Sequence, residues 1–280
     1  YFQSIVLMVF LSKPKNHPMT DALDVSTLND DQRDALVRLM VTLADSKRLM
    51  GIRYSDWTLG APSIETGVSM ASMTQDEWGH ARLLYAMLKT LDIDPAPFEY
   101  ERSGDKFASL SALDNEPSDW AAVVAMMVLA DGALSTMLRS FAQGTLEQAR
   151  RRVPKMLAEE QYHMSMGFAW YRRLADSGGE SRRLLAVATE DMLPGLVAWV
   201  GADDAAARSM VAIGVLDSAE DRLALYRDEV REVVALVGVD IDTVLGTSVW
   251  DEVRGRAVGR PDEEACERAR GDRNRALLVE

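Results

Sequence analysis

An all-α fold, a four-helix bundle with additional C-terminal helices, is what this sequence predicts, and three observations predict it. Apolar residues recur at three- and four-residue spacing in run after run. No alternating strand pattern of useful length and no Gly-rich phosphate loop interrupts them. Two of the runs carry a Glu-x-x-His motif, Glu77-Trp78-Gly79-His80 and Glu160-Gln161-Tyr162-His163, which together use two of the three histidines in 280 residues. On a helix, positions i and i+3 share a face, so each motif aims a carboxylate and an imidazole at one point. Four-helix proteins with carboxylate-bridged pairs of iron or manganese ions are built from two such motifs, with one acidic residue from each of the other two helices.

The elements follow in order. Tyr1-Phe2-Gln3-Ser4 looks like the end of a cleavable expression tag, and the Pro-rich, basic stretch before Met19 like vector or upstream sequence. Residues 1 to 18, with His17, are therefore set apart as a tag-derived or disordered segment. Residues 19 to 280 read as one helical domain, with the core bundle at about 28 to 178 and accessory helices at about 180 to 280. The first helix spans residues 30 to about 56, on the spacing of Leu36, Leu39, Met40, Leu43, Leu49 and Ile52. Pro62 stops it and Ser63 is placed to cap the second, which runs to about Leu91 and carries Glu77 and His80. Residues 92 to 118 hold Pro95, Pro97, Gly104 and Pro117, and read as a polar connection crossing the end of the bundle. A third helix is expected from near Ser118 to near Gly144. The fourth runs from about Thr145 to Ser177-Gly178-Gly179, with Pro154 expected to bend or restart it one turn before Glu160. Further helical periodicity covers residues 182–200, 204–215 and 217–237. From Arg254 the tail is rich in Arg, Asp and Glu, and is expected as a solvated helix or a partner-docking arm.

Composition narrows the function classes. A net charge of −13 argues against nucleic acid, because phosphate neutralisation needs a basic surface. The apolar run from Ile5 to Leu11 is far short of the roughly 20 residues that span a bilayer, so no membrane partner is expected. Cys266 is alone, which leaves no intrachain disulfide and makes a reducing, cytoplasmic setting the simplest expectation.

The candidate site grows from the two motifs. One Glu-x-x-His on a helix is usually a surface ion pair or a satisfied core histidine. Two on separate long helices, with Asp131 lying 29 residues before Glu160, favour metal instead. Asp131 sits in the apolar run Val128-Leu129-Ala130-Asp131-Gly132-Ala133, where a buried charge must find a partner. Before Glu77, offset 30 holds Lys47, and Asp45 lies two residues further back, at offset 32. Two alternatives stay open there: Asp45 is a sixth ligand, or Lys47 points its ammonium among the carboxylates. The expected metal ligands are thus Glu77, His80, Asp131, Glu160, His163 and Asp45, with Glu77 and Glu160 as the bridging, catalytically central carboxylates. Carboxylates with one imidazole per metal suit Fe or Mn better than Zn, two ions per chain in a complete site.

Gln75-Asp76-Glu77-Trp78-Gly79-His80, followed by Leu84-Tyr85 and Leu91, resembles the first metal-binding helix of the phenylacetic acid catabolic protein family. Asp131-Gly132-Ala133, with Glu159-Glu160 and His163 downstream, is similar to the second half of its catalytic subunit, the oxygenase component of phenylacetyl-CoA epoxidase. Trp57 and Ala61-Pro62-Ser63 match as well, so the resemblance covers residues 40 to 175. It implies a ferritin-like fold, a di-iron centre held at Glu77, His80, Asp131, Glu160 and His163, and O2-dependent monooxygenase chemistry on an aromatic or acyl group carried as a CoA thioester. It also implies an electron-donating reductase and a homologous helical subunit or a homodimer as partners. The family's first-helix glutamate does not carry over, since Lys47 stands at its position. The family includes a structural subunit with degraded metal motifs, and Leu43-Ala44-Asp45 and Asp56-Trp57 look more like that subunit.

The leading expectation is therefore a di-iron oxygenase component. The alternative is a non-catalytic structural subunit of such a multicomponent oxygenase, its metal site incomplete and Lys47 ion-paired with the carboxylates. A small ferritin-like oxidase or peroxide-handling di-manganese protein is a third reading.

Overall fold

The computed structural model describes residues 22–272, so the expectations for residues 1 to 18 fall outside the described residues. Helix α1 (Asp30–Asp56) starts at a capping box, in which Asn29 accepts from the Gln32 backbone and the Gln32 side chain from the Asn29 backbone. Ser63 accepts from the Thr66 N–H and opens α2 (Ile64–Ala86), which tightens into a 3₁₀ turn over Met87–Leu91. The connection forms the short α3 (Ala96–Tyr100) and two 3₁₀ turns, Gly104–Lys106 and Ser111–Leu113. Asp119 caps α4 (Trp120–Gln143) through the Ala122 N–H. Helix α5 (Glu147–Ser177) follows after a short turn, and then come α6 (Gly179–Val200), α7 (Ala205–Ala212) and α8 (Ala219–Ala235).

Two hairpins, α1 with α2 and α4 with α5, close the bundle, so the expected all-α plan is what forms. Helix α6 lies over α4 and α5, α8 rests on α4 and α7 on α1. The centre is α4, almost all apolar and long enough to cross a membrane by length and composition; 94% of that stretch is instead buried inside the bundle. Burial of this kind stabilises by about 25 cal/mol per Å2 of apolar surface.

Two expectations change. Pro154 sits on the solvent side of α5, and the helix runs through it without restarting, held by buried Val153 and Met156 on either side. Within the described residues the tail packs on the bundle instead of standing off as a solvated helix or arm: β1 (Trp250–Asp251) pairs antiparallel with β2 (Arg256–Ala257), and α9 (Glu263–Arg270) packs on α1. Its charges are used inward. Arg256 is fully buried, donating to Asp114 and to Ser109 Oγ, while Arg53 on α1 pairs with Asp262 and Arg268 with Asp56. A run of Arg, Asp and Glu reads as solvated only while its counterions on α1 and the crossing connection are unknown.

Candidate functional site

Four helices each send ionisable side chains into an otherwise apolar interior. Lys47 comes from α1, Glu77 and His80 from α2, Asp131 from α4, and Glu160 and His163 from α5; none is more than 1% exposed. Close helix approach brings them together. A Cβ on Gly51 would fall 2.5 Å from the Trp78 indole and 3.2 Å from Glu77 Cβ, and one on Gly167 3.2 Å from Met127 Cβ and Val128 Cγ2. Glycine at these two positions lets α2 settle against α1 and α5 against α4.

Lys47 is at the centre. Its Nζ donates to Glu160 Oε1 at 2.6 Å, Asp131 Oδ1 at 2.7 Å and Glu77 Oε1 at 3.1 Å, which uses all three donors of an ammonium. Tyr54, two turns along the same face of α1, donates its hydroxyl to Asp131 Oδ2 at 2.8 Å. The two motifs then cross over. His80 Nδ1 lies 3.0 Å from Glu160 Oε1, and His163 Nδ1 lies 3.2 Å from Glu77 Oε1. Outward, His80 Nε2 is 2.8 Å from Glu159 Oε2 and His163 Nε2 is 3.3 Å from Asp76 Oδ2. Both Nδ1 contacts are at ion-pair distance without hydrogen-bond alignment, and Glu77 Oε2 has no hydrogen-bond partner.

The electrostatics follow from burial and neighbours. Burial by itself would lower the Lys47 pKa, but Asp131, Glu160 and Glu77 outweigh it and hold the ammonium well above its ordinary value. Burial likewise works against charge on His163 and His80. The close carboxylates of Asp131, Glu160 and Glu77 raise the first all the same, and Glu160 raises the second. Burial and the neighbouring Glu160 push Glu77 up to about 7, even with Lys47 alongside. Glu160 goes the other way: burial opposes its charge, but Lys47 and the two imidazoles hold it well below the usual carboxylate range. The three carboxylates thus share the Lys47 ammonium with two imidazoles whose pKa values are raised.

That balance decides what the site can hold. Donor atoms of Glu77, Asp131, Glu160 and His163 lie within 4.8 Å of one another, a metal-holding spacing, and an outer carboxylate on each Nε2 is how metal-bound histidines are usually oriented. Yet a divalent ion needs neutral imidazoles and free carboxylate lone pairs. Here the Lys47 ammonium stands among the carboxylates, and displacing it would push a charge into apolar surroundings. With Lys47 in place, the residues present do not fit a metal ion.

The structure brings Glu77, His80, Asp131, Glu160 and His163 together as expected, but not Asp45. Two residues from Lys47 on a helix is a turn of about 200°, so Asp45 points to the opposite side of α1. There it accepts from the Ala108 N–H at 2.7 Å, from Arg102 and from the Tyr85 hydroxyl, and ties the crossing connection to the bundle. Of the two alternatives left open at the first helix, Lys47 takes the site. Sequence reasoning missed Asp76 and Glu159, although a signal was present: each immediately precedes a motif glutamate, making acid-Glu-x-x-His twice. For Tyr54 the signal was only its seven-residue spacing from Lys47.

Comparison with known proteins adds one match. A family model described as phenylacetic acid catabolic protein matches residues 19–256, which takes in the bundle, the accessory helices and most of the β pair. No curated protein matches the chain.

Proposed function

This chain belongs to the phenylacetic acid catabolic protein family, and from that premise we propose that it is a non-catalytic helical subunit of a multicomponent oxygenase acting in phenylacetate breakdown. The observation that carries the reading is Lys47 Nζ within 3.1 Å of Glu77, Asp131 and Glu160. The lysine supplies from within the chain the positive charge that a metal would supply in a complete site. It joins α1, α2, α4 and α5 at one atom, so the cluster works as a buried clamp. Oxidation of an aromatic or acyl-CoA thioester, with O2 and electrons from a reductase, then falls to a metal-bearing relative in the assembly. The role of this chain is to hold that relative in a working arrangement.

Expression with added iron followed by elemental analysis tests the proposal. No stoichiometric iron is expected, while about two irons per chain would overturn it and restore the oxygenase reading. Lys47→Glu is expected to raise metal content, because it completes the two-plus-two carboxylate pattern.

A further inference from the structure

A cavity of about 650 Å3 opens where α6 packs on the start of α4 and on the crossing connection, and no residue of the Lys47 cluster lines it. Helix α6 contributes Leu184, Ala188, Asp191 and Gly195, positions at three- and four-residue spacing and therefore on one face. Ala122 and Met126, a turn apart near the start of α4, and residues between 111 and 119 of the connection complete the lining. Most of it is apolar. Leu184, Ala188 and Met192 are only half-buried and Val187 is 43% exposed, so the cavity leaves hydrocarbon open to solvent.

Its charges are of one sign. Glu116 and Asp119 come from the connection and Asp191 from α6, and no basic residue is among the described residues that line the cavity. Asp119 is occupied, since it accepts from the Ala122 N–H and the Ser118 hydroxyl. Glu116 and Asp191 have no ion-pair partner among the described residues. A second cavity of the same size, about 660 Å3 beside Phe98, answers its own charges: Arg254 pairs with Asp251 and Lys106 with Asp105. Gly195 is a separate observation. A Cβ there would meet nothing within 4 Å, and in a helix interior glycine costs about 1 kcal/mol relative to alanine. The chain's own packing gives no reason for it, whereas a molecule seated in the cavity would come against bare backbone at that point.

The lining selects the ligand. The volume falls in the range of small-molecule sites, roughly 300–1,000 Å3. A bare divalent cation is a poor match, because it needs oxygen on every side and most of this lining offers none. A carboxylate or phosphate would meet only like charge. An apolar body against Leu184, Ala188 and Met192, with a cationic head that reaches Glu116 and Asp191, uses both parts of the lining. We propose that this cavity binds an amphipathic amine, its ammonium toward Glu116 and Asp191 and its hydrocarbon along α6. The inference stands apart from the subunit reading, because the cavity and the Lys47 cluster share no residue.

Calorimetry of the full chain with octylamine, octanol and octanoate, equal in chain length and different in charge, tests the proposal. Octylamine is expected to bind one per chain and about 5-fold tighter than octanol, the effect of two exposed ion pairs, with octanoate weaker still. Raising the salt concentration should shrink that preference. Gly195→Leu grows a side chain into open space and is expected to weaken octylamine binding at least about 10-fold without lowering Tm. Glu116→Gln combined with Asp191→Asn keeps the shape and is expected to bring octylamine to the level of octanol. No binding, equal binding of the three compounds, or octylamine binding unchanged in both variants overturns the proposal. So does a complex of two chains that Gly195→Leu breaks up, which would make the cavity an interface between copies.

Discussion

Three carboxylates surround the Lys47 Nζ, and the imidazoles of His163 and His80, their pKa values raised, face Glu77 and Glu160. Removing one member of such a group leaves the others buried and uncompensated. Lys47→Met is expected to lower stability by about 3–5 kcal/mol, read as a fall in the denaturant midpoint at constant slope. Glu77 gives the cluster a pH signature. Its folded pKa, about 7, lies above the ordinary glutamate value of 4.5, so between those values the unfolded chain binds fewer protons than the folded one. This contribution makes stability fall as pH rises from about 4.5 to 7 and then level off. Glu77→Gln removes it, and the Tm difference between variant and parent is expected to shift in favour of the variant over that window. A difference independent of pH would place the Glu77 carboxyl in the ordinary range. Glu160, held low, contributes in the opposite sense: its stabilisation is present at neutral pH and is lost on acidification below the ordinary glutamate range. Asp45 belongs to another network, so Asp45→Ala should loosen the crossing connection through Arg102 and Ala108 while leaving iron content unchanged. At this scale the motif residues were legible because i and i+3 fix a shared face. The choice between Asp45 and Lys47 required counting 100° per residue, which separates two neighbours that linear spacing leaves equivalent.

Among the elements, the long helices were readable because periodicity, a capping residue and a breaker agree at each end, as with Asn29, Ser63 and Asp119. The shorter pieces were not. Residues 96–100 and the 3₁₀ turns over 104–106 and 111–113 are too brief to show a period, and they form because the connection is pinned to α1 by Arg53, whose side chain donates to the Leu113 and Asp114 carbonyls. Of the bend or restart expected at Pro154, the restart does not occur: position 154 lacks an N–H, yet a 31-residue helix packed on α4 continues through it. The described part of the tail was misread because its counterions lie 142 to 212 residues away in sequence. Helix spacing is the property the cluster depends on most. Gly167→Val places a side chain against Met127 and Val128 and should cost about 1–3 kcal/mol, measured by chemical unfolding. Unchanged stability would mean that the α4–α5 contact has slack. Arg256→Met would leave the largely buried Asp114 without its guanidinium and is expected to lower Tm.

For the whole molecule, the fold is that of a metal-holding bundle, and the charge inside it is the chain's own. The inward Nδ1 atoms, outer carboxylates and close-packed hairpins keep the metal-site architecture, while the first-helix position presents an ammonium. The most direct measurement is a crystal structure of the iron-soaked protein with an anomalous difference map at the iron edge. The account predicts no anomalous peak between Glu77 and Glu160, with the Lys47 ammonium density bridging Glu77, Asp131 and Glu160. Iron peaks between those glutamates, with Lys47 swung out of the cluster, would contradict it.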